Sequence, residues 1–139
     1  MRNTTRTKIS EAGVRRVVEE VLKAERVQGP VQVSVLLCGE GAMRGLNARY
    51  RKRDYPTDVL SFAQDEADRE RGGLLGDVAV CLPLAHRQAK EYGHSTWAEV
   101  VLLLVHGVLH LLGYEDGRPG DRQEMLARQE EILERLGVA

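Results

Sequence analysis

Apolar residues recur at helical spacing in some segments of the chain and alternate with polar residues, as in a strand, in others. The points where the spacing changes predict the helices and strands. Valines and a leucine recur at helical spacing between Glu11 and Val27, and Ser10 stands where it can cap that helix. The segment Val31 to Cys38 alternates and then becomes continuously apolar, which is typical of a strand covered first on one face and then on both. Gly39 to Arg53 predicts a second helix, which Pro56 terminates.

The middle of the chain predicts a pair of strands. Thr57 to Ala63 and Leu74 to Leu82 are rich in apolar and β-branched residues. Between them, Asp65 to Gly73 is charged and ends in paired glycines, so it predicts a loop or a hairpin turn. Pro83 occupies a position suited to the first turn of a helix, which extends to Tyr92.

The last third of the chain predicts two helices. The segment from Trp97 to Leu112 is apolar on nearly every side, so it predicts a buried central helix, with Thr96 and Glu99 forming a capping box. A final amphipathic helix follows, with Asp121 and Glu124 as candidate capping residues. The polar residues before Ser10 predict a frayed start.

This order of elements predicts an α+β fold in which a small mixed sheet packs against about five helices. The 139 residues suit one domain, residues 1–139, and the 42% apolar content is close to the globular norm. The net charge of −1 neither favours nor excludes a polyanionic partner. We therefore expect a single globular domain.

Cysteine usage and hydropathy bear on the compartment. Cys38 and Cys81 are far apart in the sequence and form no Cys-x-x-Cys pair, so we expect two buried free thiols in a reducing compartment. The first ten residues contain no apolar run typical of a signal peptide, and the apolar run from Val100 to Leu112 is too short to cross a bilayer. These features predict a cytoplasmic protein without a membrane partner.

The stretch "HGVLHLLGYEDG" (His106 to Gly117) contains the candidate chemistry. His106 and His110 lie one helical turn apart, which puts their Cβ atoms about 6 Å apart on one face. Gly113 allows the chain to turn back toward them, and Asp116 follows. Two imidazoles and a carboxylate form a three-ligand zinc site with an open fourth position, as in catalytic zinc sites. The alternative is a structural role, with both rings bonded to backbone or water.

The His-x-x-x-His spacing also resembles the helix of zincin proteases. Those enzymes need a glutamate directly after the first histidine as the general base, and this chain has Gly107 there. Peptide hydrolysis by that mechanism is therefore disfavoured.

A second segment, "LNARYRKRDYPTDVLSF" (Leu46 to Phe62), combines cations with aromatic rings. Such a segment suits a single-stranded nucleic acid, with phosphates on the cations and bases on the rings. The alternative is a solvated helix end whose cations complement the helix dipole. The candidate RNA-binding residues are Arg49, Arg51, Lys52, Arg53 and Tyr55.

Four segments together resemble the YbeY family of bacterial ribosomal-RNA maturation factors. They are "NARYRKRDYPTDVLSF", "LLGDVAVC", "HGVLHLLGYED" and "MLARQEEIL", in the order and spacing of that family. The resemblance implies a single-strand-specific, metal-dependent endoribonuclease acting in 16S rRNA 3′-end maturation, ribosome biogenesis and ribosome quality control. It implies one Zn²⁺ per chain, an rRNA precursor as substrate and the small ribosomal subunit as partner.

The resemblance also implies residue roles. His106 and His110 match the family's zinc-binding histidines, and Arg51 matches its signature arginine. We therefore expect these three to be catalytic, with Arg51 holding the scissile phosphodiester. The family pattern ends in Gly-Tyr-Asp-His, whereas this chain has Gly-Tyr-Glu-Asp, so Asp116 occupies the third ligand position. A carboxylate can bind zinc, although it favours harder metals than imidazole does.

Two further hypotheses stay open at the level of sequence. One is a non-catalytic ribosome-assembly or RNA-binding factor whose metal holds the fold. The other is a metallohydrolase acting on peptides or small molecules, which Gly107 disfavours.

Overall fold

The computed structural model describes residues 1–65 and 73–138, which form four strands and five helices. The strands are β1 (Arg2–Asn3), β2 (Gln32–Cys38), β3 (Val59–Ala63) and β4 (Leu74–Cys81). The helices are α1 (Glu11–Ala24), α2 (Glu40–Arg51), α3 (Leu82–Tyr92), α4 (Thr96–Leu111) and α5 (Pro119–Arg135). Residues 66–72, which belong to the predicted loop or hairpin turn Asp65 to Gly73, lie outside the described residues.

The four strands form one mixed sheet in the order β1-β2-β4-β3. β1 and β4 both run parallel to β2, whereas β3 runs antiparallel to β4. The predicted α+β fold with a small mixed sheet and about five helices is thus confirmed. β3 lies at one edge of the sheet, and this edge faces the site described below.

The two faces of the sheet are covered by different helices. Val35, Leu37, Val78 and Val80 pack with apolar residues of α1, α3, α4 and α5 in the larger core cluster. On the opposite face, a smaller cluster surrounds Met43 of α2. α4 is the central helix, as predicted, because ten of its residues are buried.

The frayed start predicted before Ser10 is wrong in part. Arg2 and Asn3 pair with Leu36 and Leu37 as a short parallel strand, which Thr4 extends through a 3.0 Å bond from its N–H to the Leu37 carbonyl. Backbone hydrogen bonds hold this strand, and two residues are too few to show a period of apolar positions.

The capping box predicted at Thr96 and Glu99 is also wrong. Ser95 caps α4, since its hydroxyl accepts a 3.1 Å hydrogen bond from the N–H of Ala98. The Glu99 carboxylate instead contacts the His94 ring at 2.7 Å. The helix therefore begins one residue earlier than the sequence predicts, and its buried glutamate pairs with the partly exposed His94. The predicted cap at Ser10 is confirmed by its 3.0 Å bond from Gly13 N–H.

The start of the last helix is likewise earlier than predicted. α5 begins at Pro119, and Asp121 lies within its first turn instead of capping it. Arg118 is the N-cap residue and makes no side-chain capping bond. Proline at the first helical position explains this start, because its fixed φ suits a helix and it has no N–H that needs a partner.

Cys38 and Cys81 are register partners on β2 and β4, and both are fully buried free thiols, as predicted. Burial raises the pKa of the Cys38 thiol to about 11, and the neighbouring Cys81 adds to the shift. Burial likewise raises the pKa of Cys81. Both side chains therefore behave as small apolar core residues.

Within the described ranges, no single helix is long and apolar enough to cross a membrane. α3 and α4 meet the length and composition criteria only as a pair, with a bend of 113° between them.

Candidate metal centre

The central helix brings its two histidines to a common point. The Nε2 atoms of His106 and His110 lie 3.1 Å apart, and both rings are about three-quarters buried. Beyond the helix, Gly113 adopts a φ of 102°, a conformation that favours glycine. The chain then returns so that Asp116 Oδ2 lies 3.7 Å from His106 Nε2 and 3.6 Å from His110 Nε2. The three predicted metal ligands are thus brought together, with one ligand atom from each within 4.8 Å of the others.

Hydrogen bonds to the other ring nitrogens fix how the imidazoles face this point. His110 Nδ1 lies 2.9 Å from the carbonyl oxygen of Tyr114, which can only accept, so this nitrogen donates. His106 Nδ1 lies 3.0 Å from Gln129 Oε1 and is assigned the same role. In the neutral rings, both Nε2 atoms then carry lone pairs. Such partners orient metal-binding histidines and set their tautomer.

The donor set fits a zinc ion. Two lone pairs facing each other at 3.1 Å repel, and a shared cation relieves that repulsion. Zinc bonds to histidine nitrogen and carboxylate oxygen are about 2.0–2.2 Å long, so donors separated by up to about 4 Å can share one ion. The separations of 3.1, 3.6 and 3.7 Å meet this requirement. His106, His110 and Asp116 could therefore hold one ion and leave a coordination position open.

The electrostatic environment favours the metal-binding form of His106. Its pKa is lowered chiefly by burial and also by the neighbouring His110, while Gln129 and the carboxylates of Asp116 and Asp58 act in the opposite direction. A lowered pKa keeps the imidazole neutral at a lower pH, and neutral imidazole is the form that binds metal.

Gly107 explains how α4 packs so close to the sheet. A Cβ atom there would lie 2.6 Å from Val78 Cγ1 and 3.1 Å from Ser61 Oγ. The Ser61 hydroxyl also donates a 2.9 Å hydrogen bond to the Gly107 carbonyl. The position that holds the general base of zincins therefore points into the sheet, where a glutamate side chain has no room.

The three candidate ligands line a cavity of about 670 Å³ beside the edge strand β3. Arg51, Arg53 and Tyr55, from the predicted RNA-binding set, line the same cavity. The terminal guanidinium nitrogen Nη2 of Arg51 donates a 2.7 Å hydrogen bond to the carbonyl oxygen of Ser61. This bond holds the guanidinium at the edge strand of the sheet, in the same cavity as the histidines.

The other two predicted RNA-binding residues lie elsewhere. Arg49 and Lys52 are not among the described residues that line this cavity. The Arg49 guanidinium lies 6.0 Å from the ring centre of Tyr50. Lys52 ends α2 in a left-handed conformation, with a φ of 56°. The cationic segment is therefore divided between the cavity and its surroundings.

The chain is similar to known proteins over most of its length. The family described as Endoribonuclease YbeY matches residues 1–137. The chain belongs to the Endoribonuclease YbeY family. An Endoribonuclease YbeY of Pelotomaculum thermopropionicum is 46% identical over 127 residues, which cover 88% of this chain and 84% of that protein. Another, from Roseiflexus sp. (strain RS-1), is 43% identical over 138 residues and covers 94% and 86%.

A solved structure shares the fold. The solution structure of TM1509 from Thermotoga maritima superposes with a TM-score of 0.66 at 27% identity, covering 96% of this chain and 85% of that one. The resemblance to the YbeY family read from the four sequence segments is thus confirmed.

Two residues that support the site in this YbeY family member were missed from the sequence. Gln129 interrupts the buried face of α5 between Met125 and Ile132, and it contacts His106. A polar residue at a buried helical position is a signal that could have found it. Ser61 connects Arg51 to α4, and no pattern of spacing reveals that contact.

Proposed function

We propose that this protein is a single-strand-specific, metal-dependent endoribonuclease with one zinc ion per chain. Membership of the Endoribonuclease YbeY family supports the reaction. The observation that carries the proposal is that His106, His110 and Asp116 share one cavity with Arg51. A metal site and a guanidinium that line one cavity suit a phosphodiester, whose charged oxygens can contact both.

The residues of the site divide the work between them. His106, His110 and Asp116 would hold the metal, which when bound supplies a Lewis acid that polarises a phosphoryl oxygen or lowers the pKa of water. Gln129 and the Tyr114 carbonyl hold the two rings so that both Nε2 atoms would face the ion.

Arg51 binds the scissile phosphodiester in this proposal. Its bond to the Ser61 carbonyl fixes the guanidinium and leaves further N–H groups for the non-bridging oxygens. Positive charge held in place before the reaction stabilises the negative charge that grows on those oxygens.

Arg53 and Tyr55 guide the RNA strand into the cavity. The terminal guanidinium nitrogen Nη1 of Arg53 lies 3.4 Å from the Tyr55 hydroxyl, and Tyr55 is exposed. A cation beside an exposed ring suits an unpaired nucleotide, whose base can leave the stack and rest on the ring. This pairing supports selectivity for single strands over duplexes.

The cellular role follows from the family resemblance. We propose action on a precursor of 16S rRNA at its 3′ end, in ribosome biogenesis and ribosome quality control, with the small ribosomal subunit as partner. The cytoplasm is the compartment where that substrate is found.

The test compares cleavage of a single-stranded RNA and of the same RNA in a duplex. Wild type is expected to cleave the single strand, and Arg51→Ala and His110→Ala are each expected to lose roughly 100- to 1000-fold in rate. Arg15→Ala is the matched control, because Arg15 lies on α1 and pairs only with Glu11 in the described contacts. Full activity in both cavity variants would overturn the assigned roles.

Measurements of RNA binding, of thermal stability on chelation and of peptide cleavage separate the alternatives. A non-catalytic RNA-binding factor would bind the strand, lose thermal stability on chelation and give no cleavage products at any metal concentration. A peptide metallohydrolase would cleave an unstructured peptide in a chelator-sensitive manner, but the buried position of Gly107 opposes it.

A further inference from the structure

A second cavity, of about 440 Å³, lies on the other face of the sheet. α2 packs on this face through Met43. The cavity is lined by apolar residues of the sheet, Leu36 and Ala79, by an aromatic wall formed by Tyr50 and Phe62, and by a polar wall formed by Gln64 and Asp77. The cavity therefore has an apolar floor, an aromatic wall and a polar wall.

The aromatic wall consists of two rings that meet at an angle. The ring centres of Tyr50 and Phe62 are 5.0 Å apart and the rings are tilted by 59°. Tyr50 is 53% exposed, so a large part of its side chain is open to solvent. Aromatic side chains presented in this way stack on the bases of single-stranded nucleic acids.

The polar wall lies beside Phe62 on the same face of the sheet. Asp77 is the register partner of Phe62 on β4, so both side chains project from the same face. Gln64 Nε2 lies 3.4 Å from Asp77 Oδ2. The carboxylate accepts hydrogen bonds from N–H groups and repels phosphate groups. This wall therefore suits the edge of a base and disfavours the RNA backbone.

Arg51 connects this cavity to the metal centre. Ser61 and Phe62 are neighbours on β3, and Ser61 bonds to α4 on one side while Phe62 lines the cavity on the other. The Arg51 guanidinium bonds to the Ser61 carbonyl and lies 5.2 Å from the Phe62 ring centre. A strand held at Arg51 can therefore cross the edge of β3 and reach both cavities.

We propose that the cavity of Tyr50, Phe62 and Asp77 binds an unpaired nucleobase of the RNA strand whose phosphodiester lies at Arg51. The inference rests on the proposed endoribonuclease function and specifies where the strand goes. The base stacks against the rings and directs its N–H groups to Asp77. Arg49, which lies over the Tyr50 ring, is placed to contact the adjoining phosphate.

The experiment combines substrate and protein changes. A series of short single-stranded RNAs, each with one abasic nucleotide at a different position, is assayed for cleavage and, with non-cleavable analogues, for binding by anisotropy. For wild type, one RNA, abasic at a position beside the scissile bond, is expected to bind roughly 5- to 150-fold more weakly than the intact RNA. This loss corresponds to the contribution of one stacked base. We call this loss of affinity the abasic penalty. Tyr50→Ala is expected to show no abasic penalty at that position, whereas Tyr50→Phe is expected to keep it.

Tyr92→Ala is the matched control, since Tyr92 is an exposed tyrosine on α3 that lines neither cavity. If the abasic penalty is equal in wild type and Tyr50→Ala at every position, the base site is overturned, even if cleavage is intact. The surface would then suit a protein partner instead of a base. If the abasic penalty in binding disappears in Tyr50→Ala but no RNA is cleaved, the base site is supported and the proposed reaction is overturned. Failure of wild type to bind any of these RNAs overturns both.

Discussion

The Ser61 hydroxyl donates a hydrogen bond of 2.9 Å to the carbonyl oxygen of Gly107. This bond connects the edge strand β3 to the helix that carries both histidines, directly after His106. The Ser61 carbonyl accepts from Arg51. One residue of β3 therefore holds the guanidinium and the histidine helix in a fixed relation.

The close approach at Gly107 predicts a large cost for a small side chain. In Gly107→Ala the new Cβ would lie 2.6 Å from Val78 Cγ1, and Val78 is fully buried and cannot move freely. We expect the free energy of unfolding to fall by about 1–3 kcal/mol, as is typical of overpacking. Chemical denaturation measures it.

Gly45→Ala is the matched control for this prediction. Gly45 lies within α2, and a Cβ there would meet nothing within 4 Å. We expect it to stabilise the protein by about 0.5–1 kcal/mol, because alanine loses less backbone entropy in a helix. Equal effects of the two substitutions would contradict the packing argument.

Gln129 predicts an effect on metal affinity through His106. Gln129→Leu keeps the side-chain size but removes the acceptor that orients the ring. We expect zinc affinity to fall roughly 10- to 100-fold, measured by competition with a chromogenic chelator. Gln123→Leu, at an exposed position of the same helix, should leave the affinity unchanged. If the two variants bind zinc equally well, Gln129 does not orient His106.

Asp116 predicts a metal preference. Its carboxylate is harder than the imidazole of the family pattern, so Asp116→His should raise the affinity for zinc relative to manganese. Asp116→Ala should weaken both metals because it removes one of three donors. Isothermal titration with each metal measures this ratio. An unchanged ratio in Asp116→His, together with unchanged affinity in Asp116→Ala, would show that Asp116 is not a ligand.

The buried thiols predict both reactivity and pH dependence. Cys38 and Cys81 should react with a thiol reagent only after unfolding, because the folded chain buries both and raises their pKa values. The pKa of Cys38 rises from 9.0 to about 11 on folding, so the unfolded thiol ionises first. Stability should therefore be retained below pH 9 and decline between about pH 9 and 11. Rapid labelling of either thiol in the native state would contradict this account.

The sequence predicted much of the fold because its periods are strong. The continuous apolar run of α4 required burial on all sides, and the structure places this helix at the centre of the core. β1 escaped prediction because two residues that pair through backbone groups show no period. The cap of α4 was misplaced by one residue because Ser95 and Thr96 are both good capping residues, and their spacing to Glu99 favoured Thr96, although Ser95 caps the helix.

The site was predictable to the extent that it is local. His106 and His110 are one turn apart, and Asp116 follows a single glycine-permitted turn, so spacing alone brought these three into consideration. Arg51 lies on a different element, and only the family resemblance identified its role. Arg51 and Arg53 line the cavity whereas Arg49 and Lys52 do not, and this division depends on tertiary packing, which no local pattern encodes.

Metal analysis of the purified protein tests the central claim most directly. Elemental analysis after gel filtration should find about one zinc ion per chain in wild type and in His86→Ala, whose ring bonds to Thr96 away from the site. His106→Ala should lose the ion. A wild-type protein that retains no metal and takes up none on titration with zinc, or a His106→Ala variant that binds zinc as tightly as wild type, would contradict the account.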